Sequence, residues 1–102
     1  VATPTLTELA KRAHVVLPSA HPTEQFGSYV NFQGYAQKTE RAVAAPGQAI
    51  PAYEIISRIA KELDVTLPTG PAEIFKLICQ ETPAFDELSW QDLDPCGAPT
   101  KA

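Results

Sequence analysis

Apolar residues recur at helical spacing in three places along this chain. Leu6, Leu9, Ala10 and Ala13 share one face of a segment over residues 3–13, and positions three, four and seven apart lie on one side of an α-helix. Thr3 can cap that helix with Pro4 at the first helical position, or Thr5 and Glu8 can close a capping box. A broader stripe, Ile55, Ile56, Ile59, Ala60 and Leu63, predicts a helix over residues 51–63. The third helix starts after Thr69-Gly70, with Pro71 at its first position and Glu73 in its first turn, where the helix dipole favours an acid. Ile74, Leu77 and Ile78 then face inward, flanked by Phe75 and Cys79, until Pro83 stops the run. Phe85, Leu88, Trp90 and Leu93 are spaced as a short cap over the last two helices, and Ser89 with Asp92 predicts one more helical turn.

Between the first two helical stretches the pattern changes. Residues 14–18, a short β-branched run closed by Pro18, read as a strand buried on both faces. Such a strand needs parallel neighbours. No other segment here looks able to supply them, so it is expected to be an orphan strand. Residues 28–32 are rich in strand formers, Gln33-Gly34 supplies a turn, and residues 35–43 can return as a second strand, giving a small β-ribbon. Pro46-Gly47 marks a loop. The predicted fold is a small α+β fragment of an α/β domain: one orphan strand, a β-ribbon and three to four helices. Its parts are a helix and strand over 1–18, ribbon and loops over 19–48, a helical part over 49–94, and a flexible tail over 95–102, where Pro, Gly and Ala dominate.

Composition narrows the function more than it suggests one. The 102 residues are 44% apolar, enough for a core and against wholesale disorder. Ten Pro imply short elements with irregular connections. The net charge is −4 and Lys11-Arg12 is the longest basic run, which excludes nucleic-acid binding by phosphate neutralisation. No apolar run approaches the ~18 residues of a membrane span. The first residues, Val1-Ala2-Thr3-Pro4, lack the charged and apolar regions of a signal peptide. The chain contains no Met, and with the orphan strand this points to a piece of a longer polypeptide.

Candidate chemistry is sparse. His14 and His21 stand seven apart, and Glu24 could join them, but a metal site needs further ligands in fixed geometry. Glu24 has no partner carboxylate for acid–base work, and a carboxylate bonded to loop amides is the plainer reading. No serine has a nucleophile-elbow setting. Gly27, Gly34 and Gly47 make no phosphate-binding motif. Tyr29, Phe32 and Tyr35 lack basic neighbours and read as core. Cys79 and Cys96 are too far apart in sequence for a redox pair, and two thiols cannot hold a metal cluster alone. They are two free thiols or one disulfide, with Cys79 on an apolar helix face. The expectation is a chain with no complete catalytic site and no metal site of its own.

The most informative run is Leu17 to Leu63, with a skeleton that begins just before it at Ala13. It reads Ala13-x-Val15-Val16-Leu17-Pro18, then Glu24-x-x-Gly27-x-x-x-Asn31-x-x-Gly34-x-x-Gln37, then Pro46-Gly47-x-Ala49 and Ile55-Ile56-x-x-Ile59-Ala60. In order and spacing it resembles the late part of the large domain in the molybdopterin oxidoreductase superfamily. Residues 73–75, 83–85 and 88–89 continue the likeness. His14 stands where that superfamily usually has Asp, Ser28 for Thr, Gln33 for Glu, Tyr35 for Arg, and Ile50 and Ala52-Tyr53 for Arg and Asp-Trp. The glycines, Asn31 and the apolar helix positions remain while charged positions are lost.

That pattern of losses suits a member kept for shape. Within the superfamily the chain looks most like the large G subunit of NADH-quinone oxidoreductases, respiratory complex I, a branch without molybdenum. The resemblance implies a scaffolding segment whose parent carries iron–sulfur clusters. It implies as partners the rest of the parent polypeptide and other subunits of a respiratory complex, peripheral to the inner face of the cell membrane. Glu24, Gly27, Asn31, Gly34 and Gln37 would be structural motif positions. The alternative is a molybdenum or tungsten enzyme such as a formate dehydrogenase, where this segment would border the pterin cofactor. A third is an independent interaction module.

Overall fold

The computed structural model describes residues 1–94 and 96–101 of the chain. It has the α+β composition expected: three α-helices, a parallel pair of strands and an antiparallel three-stranded sheet. The chain divides into two compact units, one formed by Val1–Gln25 and Arg41–Leu67, the other by Phe26–Glu40 and Pro68–Ala102.

The first unit opens with β1 (Ala2–Thr3), α1 (Glu8–Arg12) and β2 (Leu17–Pro18). β1 and β2 pair in parallel, Ala2 opposite Leu17 and Thr3 opposite Pro18. A parallel bridge joins Ser19 to Ile50, with the Ala20 amide donating to the Ile50 carbonyl at 2.8 Å. The strand expected to be an orphan is therefore partnered along both edges. Two-residue strands leave almost no periodic signal, which is why Thr3 read as a helix cap and Ala2 carried no expectation. The helix begins only at Glu8 because Thr7 caps it: Thr7 Oγ1 accepts the Ala10 amide at 3.2 Å. Of its expected apolar face only Ala10 is buried, and Leu6 and Leu9 are exposed. Val15 and Val16, read as buried on both faces, are exposed too.

α2 (Ala52–Glu62) follows the predicted span to within a residue at each end. The stripe does not bury as a whole. Ile55 and Ala60 are buried, whereas Ile56, Ile59 and Leu63 face outward, Ile59 at 48% exposure. Asp64, at φ 58°, turns the chain out of the helix end.

The second unit holds the hairpin of β3 (Gly27–Val30) and β4 (Tyr35–Thr39), then α3 (Pro71–Glu81) and β5 (Ala98–Pro99). β3 and β4 pair antiparallel, Tyr29 opposite Gln37 and Val30 opposite Ala36. The last residues carry a strand where a flexible tail was expected: β5 pairs with β4, Ala98 opposite Ala36. The core joins Ala36, Phe75, Leu93 and Ala98, with Phe75 1% exposed and Leu93 fully enclosed. Phe85 and Trp90 meet the Phe75 ring edge to face, each with centroids 6.0 Å away, a geometry aromatic quadrupoles favour. α3 therefore presents Phe75 inward and leaves Leu77 exposed, reversing their expected roles. Ser89 and Asp92 close a turn, Asp92 Oδ2 accepting the Ser89 amide at 2.8 Å and hydroxyl at 2.6 Å.

Candidate functional site

The five motif positions fall in both units. Glu24 lies in the first, at the end of a short 3₁₀ turn over Pro22–Glu24. Its Oε2 accepts the His21 amide at 2.8 Å, and the Glu24 amide donates to the His21 carbonyl at 2.8 Å. His21 Nδ1 in turn caps the Thr23 amide at 3.5 Å and lies 3.0 Å from Thr23 Oγ1. This is a capping box with His in place of Ser or Thr, so the carboxylate is bound to a backbone amide. His14 lies just past the end of α1, whose C-cap is Ala13.

The other four lie on the hairpin. Residues directly opposite in antiparallel strands share a face, and faces alternate along each strand. Val30 and Ala36 line a cavity of about 140 Å³ with Phe75, Ile78 and Phe85, so Ser28, Val30, Ala36 and Lys38 face α3. Gly27, Tyr29, Asn31, Tyr35, Gln37 and Thr39 then occupy the opposite face. Three of the motif residues, Gly27, Asn31 and Gln37, share that face, and Asn31 Nδ2 donates to Gln37 Oε1 at 3.5 Å. Tyr29 and Tyr35 are exposed there, and Phe32 at the tip is 97% exposed. None of the three aromatics is core.

Asn31 and Gly34 build the turn between the strands. Asn31 Oδ1 accepts the amides of Gln33 and Tyr35 at 2.9 and 3.0 Å, and the Gly34 amide donates to the Asn31 carbonyl at 3.0 Å. Gly34 sits at φ +79°, a conformation that penalises any Cβ. Gly27 does not have a positive φ; a Cβ there would stand 3.4 Å from the Tyr29 ring. Two residues that sequence reading missed support the site from the far end of the chain. Thr100 bonds the Gly34 carbonyl, and Gly97 approaches Gln37. Nothing in local spacing signals either.

Chemically the face offers amides, phenols and a hydroxyl. These groups can hydrogen-bond a partner or ligand. Among the described residues no three His, Cys, Asp or Glu side chains converge as a metal site. Cys79 and Cys96 are both free thiols. Burial, helped by the nearby Asp86 carboxylate, pushes the Cys79 thiol up from its ordinary value, away from the reactive thiolate.

The family model for molybdopterin oxidoreductases matches residues 1–62 of the chain. The F420-dependent formate dehydrogenase 2 subunit alpha of Methanococcus maripaludis is 32% identical over 103 residues, covering 92% of this chain and 15% of that protein. The G subunit of NADH-quinone oxidoreductase from Rickettsia bellii is 40% identical over 80 residues, covering 78% of this chain and 12% of the relative. Its counterpart in Rickettsia felis is 45% identical over 58 residues, covering 57% of this chain and 9% of its own length. The chain thus spans 9–15% of the length of these relatives.

Proposed function

The chain belongs to the molybdopterin oxidoreductase family, and from that premise we propose that it is a scaffolding segment of the large iron–sulfur subunit of an NADH-quinone oxidoreductase. It supports electron transfer from NADH to quinone without supplying a redox centre. The observation that carries this reading is its higher identity to the two Rickettsia NADH-quinone oxidoreductase subunits than to the formate dehydrogenase subunit. The motif residues are structural in this reading. Glu24 caps a turn, Asn31 and Gly34 shape the hairpin tip, Gly27 accommodates the Tyr29 ring, and Gln37 is bonded to Asn31.

An iron–sulfur cluster takes about four thiolate ligands. This chain has two cysteines, one half-buried in α3 and one exposed, so its own residues do not fit a cluster and no electron-transfer step is assigned to them. The clusters of the parent are then held elsewhere in its polypeptide or by other subunits. The exposed apolar residues of the first unit, among them Leu6, Leu9, Val15, Ile56 and Leu63, suit a body covered by more polypeptide. No helix among the described residues is long and apolar enough to cross a membrane. The proposed place is peripheral, at the inner face of the cell membrane within a multisubunit complex.

One observation favours a second reading. The likeness to the formate dehydrogenase subunit extends over more of the chain, and in a molybdenum or tungsten enzyme the segment from Glu24 to Gln37 would border the pterin. Affinity purification of the parent protein from its own organism separates the two. NADH-dependent quinone reduction with iron and no stoichiometric molybdenum or tungsten supports the scaffold reading. Stoichiometric molybdenum or tungsten with formate oxidation overturns it.

A further inference from the structure

Residues 97–101 tie three parts of the second unit together. Ala98 and Pro99 pair with Ala36 and Tyr35 of β4. Thr100 donates both its amide and its hydroxyl to the Gly34 carbonyl, each at 2.8 Å. The Lys101 amide reaches the Ala84 carbonyl at 2.8 Å, and its ammonium lies 3.1 Å from Glu87 and 3.5 Å from Asp86. The segment thus runs along β4 to the hairpin tip and on to the 3₁₀ turn at Pro83–Phe85, after α3.

Little apolar surface backs this connection. Ala98 is the one buried residue of the five, and an alanine side chain buries little area. The ion pairs are exposed and weak. Most of the hold therefore comes from a few hydrogen bonds. The rest of the unit is held differently, through Phe75 and Leu93 with Phe85 and Trp90 against them, a core to which the segment adds only Ala98. A segment with few buried contacts opens at lower free energy than the core it rests on.

We propose that residues 97–101 form a conformational strap. Engaged, it fixes the Gly34 carbonyl and with it the turn that presents Asn31 and Phe32. Released, it takes Ala98 off the core but leaves β3 and β4 paired and Phe75 packed with Leu93, Phe85 and Trp90 while the turn loosens. Without the strap, the turn keeps its own bonds, from the Gly34 amide to the Asn31 carbonyl and from the Asn31 amide to the Tyr35 carbonyl, together with those accepted by Asn31 Oδ1. Thr100 acts on the motif turn only through Gly34, which makes it a positioning residue. The strap stands on this geometry alone and does not depend on which oxidoreductase the chain serves.

Native-state hydrogen exchange on the whole chain tests this. In the unaltered protein the Thr100 and Lys101 amides should exchange faster than the α3 amides. In Thr100→Val the Gln33 and Tyr35 amides should exchange about three- to tenfold faster, the effect of losing one hydrogen bond. The α3 amides should not change, and Thr100→Ser should restore the original rates. Strap amides as slow as those of α3 overturn the proposal, as do turn amides indifferent to Thr100→Val or α3 amides accelerated by the same factor. Since the first measurement needs no variant, a poorly folding Thr100→Val leaves the idea open to refutation.

Discussion

Gly97 stands so close to Gln37 that a Cβ on it would lie 2.6 Å from Gln37 Cγ and 3.0 Å from the Ala36 carbonyl oxygen. Gly97 also holds φ +81°. Alanine there meets two penalties, the left-handed backbone at about 1–2 kcal/mol and the collision with β4, whose backbone cannot swing away as a side chain could. Gly97→Ala is expected to lower the thermal midpoint of the chain. Gly47, also at positive φ but with open space around it, should cost only the backbone penalty when changed to Ala. A calorimetric melt of the two variants checks the order.

Asn31 is the acceptor for two amides at the hairpin tip. Asn31→Ala leaves both without that partner and should cost about 1–2 kcal/mol, read as faster exchange at Gln33 and Tyr35. Asn31→Asp keeps the acceptor oxygen and should recover most of the loss. Equal rates in the two variants would mean that the side-chain oxygen does not hold the turn.

Phe75 and Ile59 should behave oppositely. Phe75→Ala empties the centre of the second unit and should cost about 3–5 kcal/mol. Ile59 is half exposed, so Ile59→Asp should cost less than about 1 kcal/mol in the isolated chain, within the range of surface changes. In the parent polypeptide the same Ile59→Asp should be several times more harmful if other segments cover that face. Urea denaturation of the chain and assembly yield of the parent measure the two cases.

Glu24 should tolerate glutamine. Gln can complete a capping box as Glu does, so Glu24→Gln should change stability by less than about 0.5 kcal/mol, and Glu24→Ala by about 1 kcal/mol. In the parent, electron transfer with Glu24→Gln should stay within a few-fold of normal. Abolished turnover in a fully assembled complex would give Glu24 a chemical role and favour the molybdoenzyme reading.

Cys79 keeps its proton more firmly in the folded chain than in the unfolded one, because burial and then Asp86 raise its pKa. Its contribution to stability is therefore whole below the ordinary thiol value of about 8.5 and declines as pH rises past it. Relative to Cys79→Ala, the unaltered chain should lose stability between about pH 8 and 10, the range in which an unfolded thiol ionises. Alkylation at neutral pH should modify the exposed Cys96 first. Cys79 reacting as fast as Cys96 would show that the α3 face is open.

Elements that follow from local chemistry were legible in the sequence. The Pro51 start and isoleucine run bound α2, Gly70-Pro71 starts α3, and Gln33-Gly34 marks the hairpin turn, because each rests on backbone preference or on spacing within a few residues. The order of motifs also carried the family. What local pattern could not decide was which apolar residues meet. Phe75 and not Leu77 is enclosed, Ile55 and not Ile59 is buried, and Tyr29, Phe32 and Tyr35 are exposed. The two-residue strands β1 and β5 depend on partners 15 and more than 60 positions away, a pairing that no window of neighbouring residues contains. Tertiary structure decided these because burial and parallel or closing strand pairs are properties of distant chain segments meeting, and the free energy that selects them is absent until they do.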